Sequence, residues 1–324
     1  MLFQNSKNPL DIKVTHLNKI KNQRKQQLML ETGDKPSFKK LLKRALTDLS
    51  KRGKAQHKVF VLDFNGDIKA TAVQQLREEI SALLTVAEAG DEVVLRLESA
   101  GGLVHSYGLA AAQLVRIKDA GLTLTVCVDK IAASGGYMMA CVADNIIAAP
   151  FAVVGSIGVV AQVPNFHDFL QKHDIDVDVF TAGKYKRTVT VFGKNDAEDK
   201  EKFQQELEQT HKLFQDFVRN FRPQLEVAKV ATGEHWYGED ALARNLVDAL
   251  QTSDSYLLDK MASQQVYAIH SRRKPTFAEK LGLAQSAQAA TQALSQRVVA
   301  GALDAATAKL PEVMHAFEPR QNQH

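Results

Sequence analysis

A chain of 324 residues with 45% hydrophobic and 24% charged side chains can bury a full core, and its composition excludes disordered, fibrous and disulfide-scaffold classes. The formal net charge of +4 conceals a division: Met1 to Lys58 holds fifteen Lys or Arg against four Asp or Glu, a net of +11, which leaves −7 for the rest. Basicity therefore belongs to an N-terminal arm and not to the body.

In chain order, the N-terminus lacks the apolar core of a secretory signal peptide. Within the arm, Phe38, Leu41, Leu42, Ala45, Leu46 and Leu49 fall at helical spacing between Lys39, Lys40, Lys43, Arg44, Lys51 and Arg52. That pattern predicts a basic amphipathic helix. Three readings stay open for it: a solvated helix docked on the body or a partner, an arm near anionic lipid headgroups, and nucleic-acid binding. The last is weakest, because no aromatic residues are interleaved for base stacking and the body is acidic.

Lys58–Phe64 reads as a strand followed by the turn Asn65-Gly66-Asp67, and Thr71–Glu88 as a helix with one apolar face. A strand over Asp91–Leu97 ends in Glu98-Ser99-Ala100-Gly101-Gly102, and the helix Leu103–Ala120 leads to an alternating β-branched strand, Leu122–Val128. Asn145–Ala148 and Val177–Thr181 are predicted as further strands, and Asp196–Phe221 as a long helix stopped by Pro223. Trp236–Asp248 reads as a turn, a short helix and a strand-like exit, with Asn245 where a helix end needs left-handed tolerance. Asn145–Phe166 carries no charge over more than twenty residues, but Pro150, Gly155, Gly158 and Pro164 interrupt it. It is therefore expected to be buried strand and loop, not a membrane span. Strands alternating with helices imply an α/β core with mostly parallel pairing and right-handed crossovers. The expected organisation is a basic, partly helical arm (1–57), a main α/β domain (58–270) and an Ala/Gln-rich helical extension (271–324). Cys127 and Cys141 lie among apolar residues and read as core packing.

The stretch Asp129–Ala140 (DKIAASGGYMMA) follows the 122–128 strand, and Gly135 onward can start a helix. Ser134 at that junction would sit near helix N-terminal amides suited to a developing oxyanion, which makes it a candidate nucleophile. A small-residue helix cap fits the same twelve residues equally well. A serine needs a base, and none of the ten histidines sits in a triad signature, nor is there a G-x-S-x-G elbow. His105 is the histidine nearest the stretch, and its position on a helix flank favours a structural or exposed role. A lysine serves as base if an apolar setting keeps it neutral and a hydrogen bond holds it. Thr181–Thr188 (TAGKYKRT) offers Lys184 and Lys186 beside Arg187, and physics alone leaves the choice open. Ser156, in Gly155-Ser156-Ile157-Gly158, offers a hydroxyl to hold the amine, and Gly101-Gly102 a backbone N–H for an oxyanion.

Taken in order, Ser-x-Gly-Gly, Ala-Ala-Ser-Gly-Gly-Tyr, Gly-Ser-Ile-Gly-Val and Gly-x-Tyr-Lys resemble the motifs of the signal peptide peptidase A family (peptidase family S49) of serine-lysine peptidases, most closely its single-domain, membrane-anchored branch. The similarity covers about Val59 to Leu250, with 22 residues from Ser134 to Ser156 and 52 from Ser134 to Lys186. By motif position the resemblance implies Ser134 as nucleophile, Lys186 as general base, Ser156 as the hydroxyl positioning the lysine, and the N–H groups of Gly102 and Gly135 as oxyanion hole. It implies a ClpP/crotonase-like fold of spiralling ββα units with helical extensions, and a serine endopeptidase acting on signal peptides or other apolar membrane-derived peptides. Neither metal nor cofactor nor nucleic acid is implied. The partners implied are further copies of the chain in a ring or dome such as an octamer, where lysine and serine of one site can come from different protomers. The resemblance also implies a membrane span ahead of the domain, and no such span is read in these 324 residues. The resemblance implies the bacterial inner membrane with the catalytic domain on the periplasmic side, and the basic arm as the segment that follows such a span. Ala100 and Asn245 stand where many relatives have proline and glycine. The rival readings are a crotonase-like acyl-CoA enzyme and a non-catalytic, membrane-associated scaffold.

Overall fold

Alternation of apolar residues to the two sides of each strand builds this molecule around a ten-stranded sheet with two unequal cores. A computed structural model of the chain describes residues 10–33 and 57–273, of which Ile12–Arg272 form one compact unit. A second unit, Met1–Asp11 with Arg273–His324, lies almost wholly outside the described residues, as do the helix expected over 36–51 and the C-terminal extension.

In chain order the elements are β1 (Leu10–His16), α1 (Leu17–Glu31), β2 (Lys58–Gly66), α2 (Val73–Leu83), β3 (Glu92–Ser99), α3 (Val104–Asp119), β4 (Thr123–Val128) and β5 (Ile131–Ala133). They continue with α4 (Gly135–Ala140), β6 (Asn145–Ala148), β7 (Val153–Gly155), α5 (His167–Gln171), α6 (Ala197–Phe221) and α7 (Val227–Val230). Last come β8 (His235–Tyr237), α8 (Gly238–Ala243), β9 (Ala249–Leu250), α9 (Ser253–Ser263) and β10 (Gln265–Arg273).

The main path runs β1-β10-β2-β3-β4-β6-β9, with parallel pairing from β10 to β9. β3 pairs with β4 from Glu92 to Arg96 and then, at Ser99, with β5. β5, β7 and the antiparallel β8 make a second, smaller layer. Two turns of the chain, β4-β5-α4 and β6-β7-α5, thus each lay one strand in the main path and a short one in the side layer before a helix. This is the spiralling ββα arrangement of the ClpP/crotonase type.

Phe60, Leu62 and Phe64 of β2, Leu95 and Leu97 of β3 and Val126 of β4 pack against α2, α3 and α4 in the larger core. The alternate residues Val59, Val61, Val94 and Cys127 meet Leu17 of α1 and Tyr256 and Leu257 of α9. β1 and α1 are therefore integral to the sheet unit, ahead of residue 58 where the sequence pattern first reads as strand. Asp196 caps α6 in a reciprocal box with Asp199, as the sharp start of that helix requires. Asn245 takes φ 60°, the left-handed conformation expected of it.

Two sequence expectations are corrected. Val177–Thr181 is not a strand: all five residues are exposed, and among the described residues no strand pairs with them. The uncharged stretch is buried only in its first part, through β6, β7 and Ile157, and from Val160 to Phe166 it is exposed. Among the described residues no helix is long and apolar enough to cross a membrane.

Candidate active site

Ser134 stands alone between β5 and α4 at φ 52° and ψ −118°, a backbone region that costs a non-glycine residue free energy. Two bonds hold it there: its N–H donates to the Gly155 carbonyl at 2.8 Å, and its carbonyl accepts from Met138 N at 2.9 Å. Although it occupies the N-cap position of α4, its hydroxyl makes no cap bond. Among the described residues the half-buried Ser134 makes no side-chain hydrogen bond, so the helix-cap alternative is not realised in the side chain.

β5 and β7 pair in parallel with Ala133 opposite Gly155, so the next residue on each strand, Ser134 and Ser156, emerge side by side. Adjacent strands are about 4.8 Å apart. Ser156 repeats the unusual torsion with φ 51°, and its N–H is tied to the Glu234 carbonyl at 2.6 Å.

Gly101 has φ 91°, and a Cβ there would lie 2.7 Å from Gly135 N and 2.8 Å from Ser134 Cβ. Only glycine lets the 99–102 loop press this closely on the serine turn. Ser134, Gly102 and Gly135 line one cleft with Val104, Met138, Gly158, Val159, Thr210 and Phe214. Among the described residues neither the Gly102 nor the Gly135 N–H is engaged in a hydrogen bond. Chemically, the cleft offers a hydroxyl, two free amide donors and apolar walls.

Lys186 is not brought into this cleft. Its backbone N–H bonds the Gly183 carbonyl at 3.1 Å, and its side chain is exposed and in no ion pair among the described residues. Lys184 is committed elsewhere: its ammonium meets Glu198 at 2.7 Å and lies 5.1 Å from the Tyr185 ring centre. The bond to Glu198 raises its pKa, which favours the charged form and disqualifies it as a base. Arg187 and His105 are exposed and outside the cleft.

Sequence reasoning missed the contribution of α6. The 196–221 helix was legible in the sequence, yet only the fold puts its Phe214 and Thr210 in the cleft with Ser134. The neighbouring His211 Nε2 lies 3.3 Å from the Ile157 carbonyl, next to Ser156. Cys127 and Cys141 are buried free thiols, and burial pushes the Cys127 thiol up to about 12, so neither competes as a nucleophile. Among the described residues no cluster of three or more His, Cys, Asp or Glu could hold a metal ion.

An α/β protein of spiralling ββα units, with a serine in a strained turn beside two free glycine amides, is the class that fold and site define. The chain belongs to peptidase family S49: residues 116–267 match the family and residues 2–114 its N-terminal region. It is 62% identical over 224 residues to the probable protease SohB of Haemophilus influenzae, covering 69% of this chain and 64% of that one. To the probable protease SohB of Buchnera aphidicola subsp. Acyrthosiphon pisum it is 58% identical over 204 residues, 63% of this chain and 61% of the relative. The match thus spans a little under two thirds of these relatives' length. Among solved structures, a mutant of the 1510-N membrane-bound stomatin-specific protease in complex with a substrate peptide aligns with a TM-score of 0.41 and 14% identity, covering 71% of this chain and 98% of that one.

Proposed function

We propose that the protein is a serine endopeptidase that hydrolyses peptide bonds in apolar segments, such as cleaved signal peptides, through an acyl-enzyme. The observation that carries this reading is the strained, uncommitted Ser134 set against the free amides of Gly102 and Gly135. Ser134 Oγ attacks the scissile carbonyl while Lys186 accepts its proton, and the two glycine N–H groups hold the tetrahedral oxyanion. Lys186 then returns the proton to the leaving amine, and water enters by the same route to release the acyl group. Ser156 steadies the lysine amine between the two steps. Val104, Met138, Val159 and Phe214 give the cleft the apolar walls that such a substrate needs.

Because Lys186 is exposed within its own chain, the base is proposed to reach Ser134 of a neighbouring copy in a homo-oligomer. Location at the periplasmic face of the inner membrane, with the basic arm near headgroups, is part of the same proposal.

Reaction with a fluorophosphonate probe tests the nucleophile. Wild type is expected to be labelled and Ser134→Ala not, with Lys186→Ala slowed by at least a hundredfold. Absence of labelling together with tight coenzyme A binding would favour the acyl-CoA reading. Absence of both, with apolar casein peptides left uncut, would favour the scaffold.

A further inference from the structure

Beneath the two glycine amides runs a buried chain of hydroxyls that the proposed chemistry has not used. Gly101 N–H donates to Ser99 Oγ at 3.0 Å, Ser99 Oγ lies 2.5 Å from Tyr107 Oη, and Tyr107 Oη donates to the Asp67 carbonyl at 2.8 Å. When the tyrosine proton goes to Asp67, Ser99 donates to Tyr107 and accepts from Gly101; the Gly66 carbonyl, 3.5 Å from Ser99 Oγ, is a second and longer acceptor for the serine. Gly101, Ser99, Tyr107 and Asp67 are thereby joined in one chain of hydrogen bonds, in which neighbouring bonds polarise one another. Ser99 is 2% exposed and Tyr107 0%, so the bond between their hydroxyls is shielded from water, and the two end bonds are partly buried.

The same tyrosine touches the other amide. A Cβ on Gly135 would run into the Tyr107 ring, and one on Gly66 would strike both hydroxyls. On the far side of the glycine loop, Leu103 N–H bonds the Ile68 carbonyl at 2.8 Å, and Gly102 lies against the Ile68 backbone. The loop carrying Gly102 is therefore clamped between Ser99 below and the Asp67-Ile68 turn beside it. The turn carrying Gly135 rests on the ring of the tyrosine that anchors Ser99.

The geometry points to Ser99 and Tyr107 as positioning residues that hold the Gly102 and Gly135 amides in register with each other for the oxyanion. This deepens the proposed peptidase reading and rests on it. Neither residue touches substrate; their role is to set the separation of two donors, where an error of about 1 Å can cost about a hundredfold in rate.

Tyr107→Phe keeps the ring against Gly135 and removes the hydroxyl, and Ser99→Ala removes the acceptor for Gly101. On a fluorogenic peptide of Ala and Leu residues, each is expected to lower kcat by about tenfold to a hundredfold with KM within about twofold. Affinity for an apolar peptide aldehyde, whose adduct with Ser134 carries the oxyanion, is expected to fall in parallel with kcat. The double variant should lose no more than the worse single one, since both break the same chain. Melting temperatures taken alongside separate this from loss of fold. Folded Tyr107→Phe and Ser99→Ala proteins with unchanged kcat, or with KM raised and kcat intact, would overturn the inference. If wild type itself shows no Ser134-dependent labelling, the underlying peptidase reading fails first, and the positioning role falls with it.

Discussion

Glycine would hold the torsions of Ser134 more easily than serine does, and the residue stays there because strand pairing and Gly101 over-determine its place. A backbone held in such a region stores on the order of 1–3 kcal/mol. Replacing Ser134 by alanine removes the hydroxyl and keeps the strain; replacing it by glycine removes both. Ser134→Gly is therefore expected to exceed Ser134→Ala in stability by about 1 kcal/mol in urea unfolding, with both inactive. Equal midpoints would show that the turn is not strained. At this scale the sequence made Ser134 visible as a serine among small residues, but cap and nucleophile remained equal because a torsion angle is not written in twelve letters. Gly101 and Gly102 were legible as permissive backbone; that a Cβ at 101 would meet Gly135 N required the fold. The positions of Lys184 and Lys186 differ for a reason no spacing carries, namely that Glu198 lies within reach of one of them.

Elements were legible where periodicity was strong and opaque where a single buried polar group does the joining. The long helix α6 could be read from its apolar spacing and its Pro223 stop, whereas Arg222 at its end reads in the sequence as one more surface charge. In the fold Arg222 is 1% exposed, and its guanidinium meets both Asp248 oxygens at 2.8 Å and the Asn245 carbonyl at 2.9 Å. It thereby ties α6 to the approach of β9. Arg222→Ala is expected to cost about 3 kcal/mol in chemical unfolding, the lower end for breaking a buried pair, because Asp248 keeps some solvent and its bond from Ile146 N. A second such joint links α2 to β10, where the Ser271 N–H and Oγ both donate to Glu79 Oε1 at 2.7 Å. Burial raises the Glu79 pKa, the Ser271 bonds oppose that shift, and the charge of Asp63 adds to it. An acid with its folded pKa above the unfolded one binds more protons when folded, so its contribution is fully present below the ordinary carboxylate range and is lost as pH rises through the folded value. Glu79→Gln still accepts from Ser271 and does not ionise. Its melting temperature relative to wild type is therefore expected to rise between pH 4 and pH 7; a difference independent of pH would mean that Glu79 ionises freely in the fold. The failed strand Val177–Thr181 has the opposite lesson: β-branched alternation specifies a strand only where an edge is available to pair with it.

For the whole molecule, the alternation of strand and helix was enough to foresee an α/β spiral, but not the segment that leaves it. Between β7 and α6 the chain folds back on itself, Phe166 N–H bonding the Val191 carbonyl at 2.8 Å and Phe166 stacking on Phe192. The loop exposes several large apolar side chains, among them Val160 (85%) and Phe180 (93%). The loop also carries Lys186, the proposed base with no place in its own cleft. The proposed homo-oligomer would answer both facts: in it the loop would pack on a second copy and deliver Lys186 to the serine of that copy. The two catalytic defects then lie in different halves of a shared site. Ser134→Ala and Lys186→Ala, each inactive alone, are expected to regain peptide hydrolysis when mixed under conditions that let copies exchange, since some interfaces unite an intact serine with an intact lysine. Phe180→Asp, which places a charge on the exposed apolar surface, is expected to abolish that recovery and to shift the protein to smaller species in sedimentation while its melting temperature holds. A mixture that stays inactive although the two variants demonstrably co-assemble would mean that serine and lysine act within one chain, and the loop would then have to turn inward by a movement of its own.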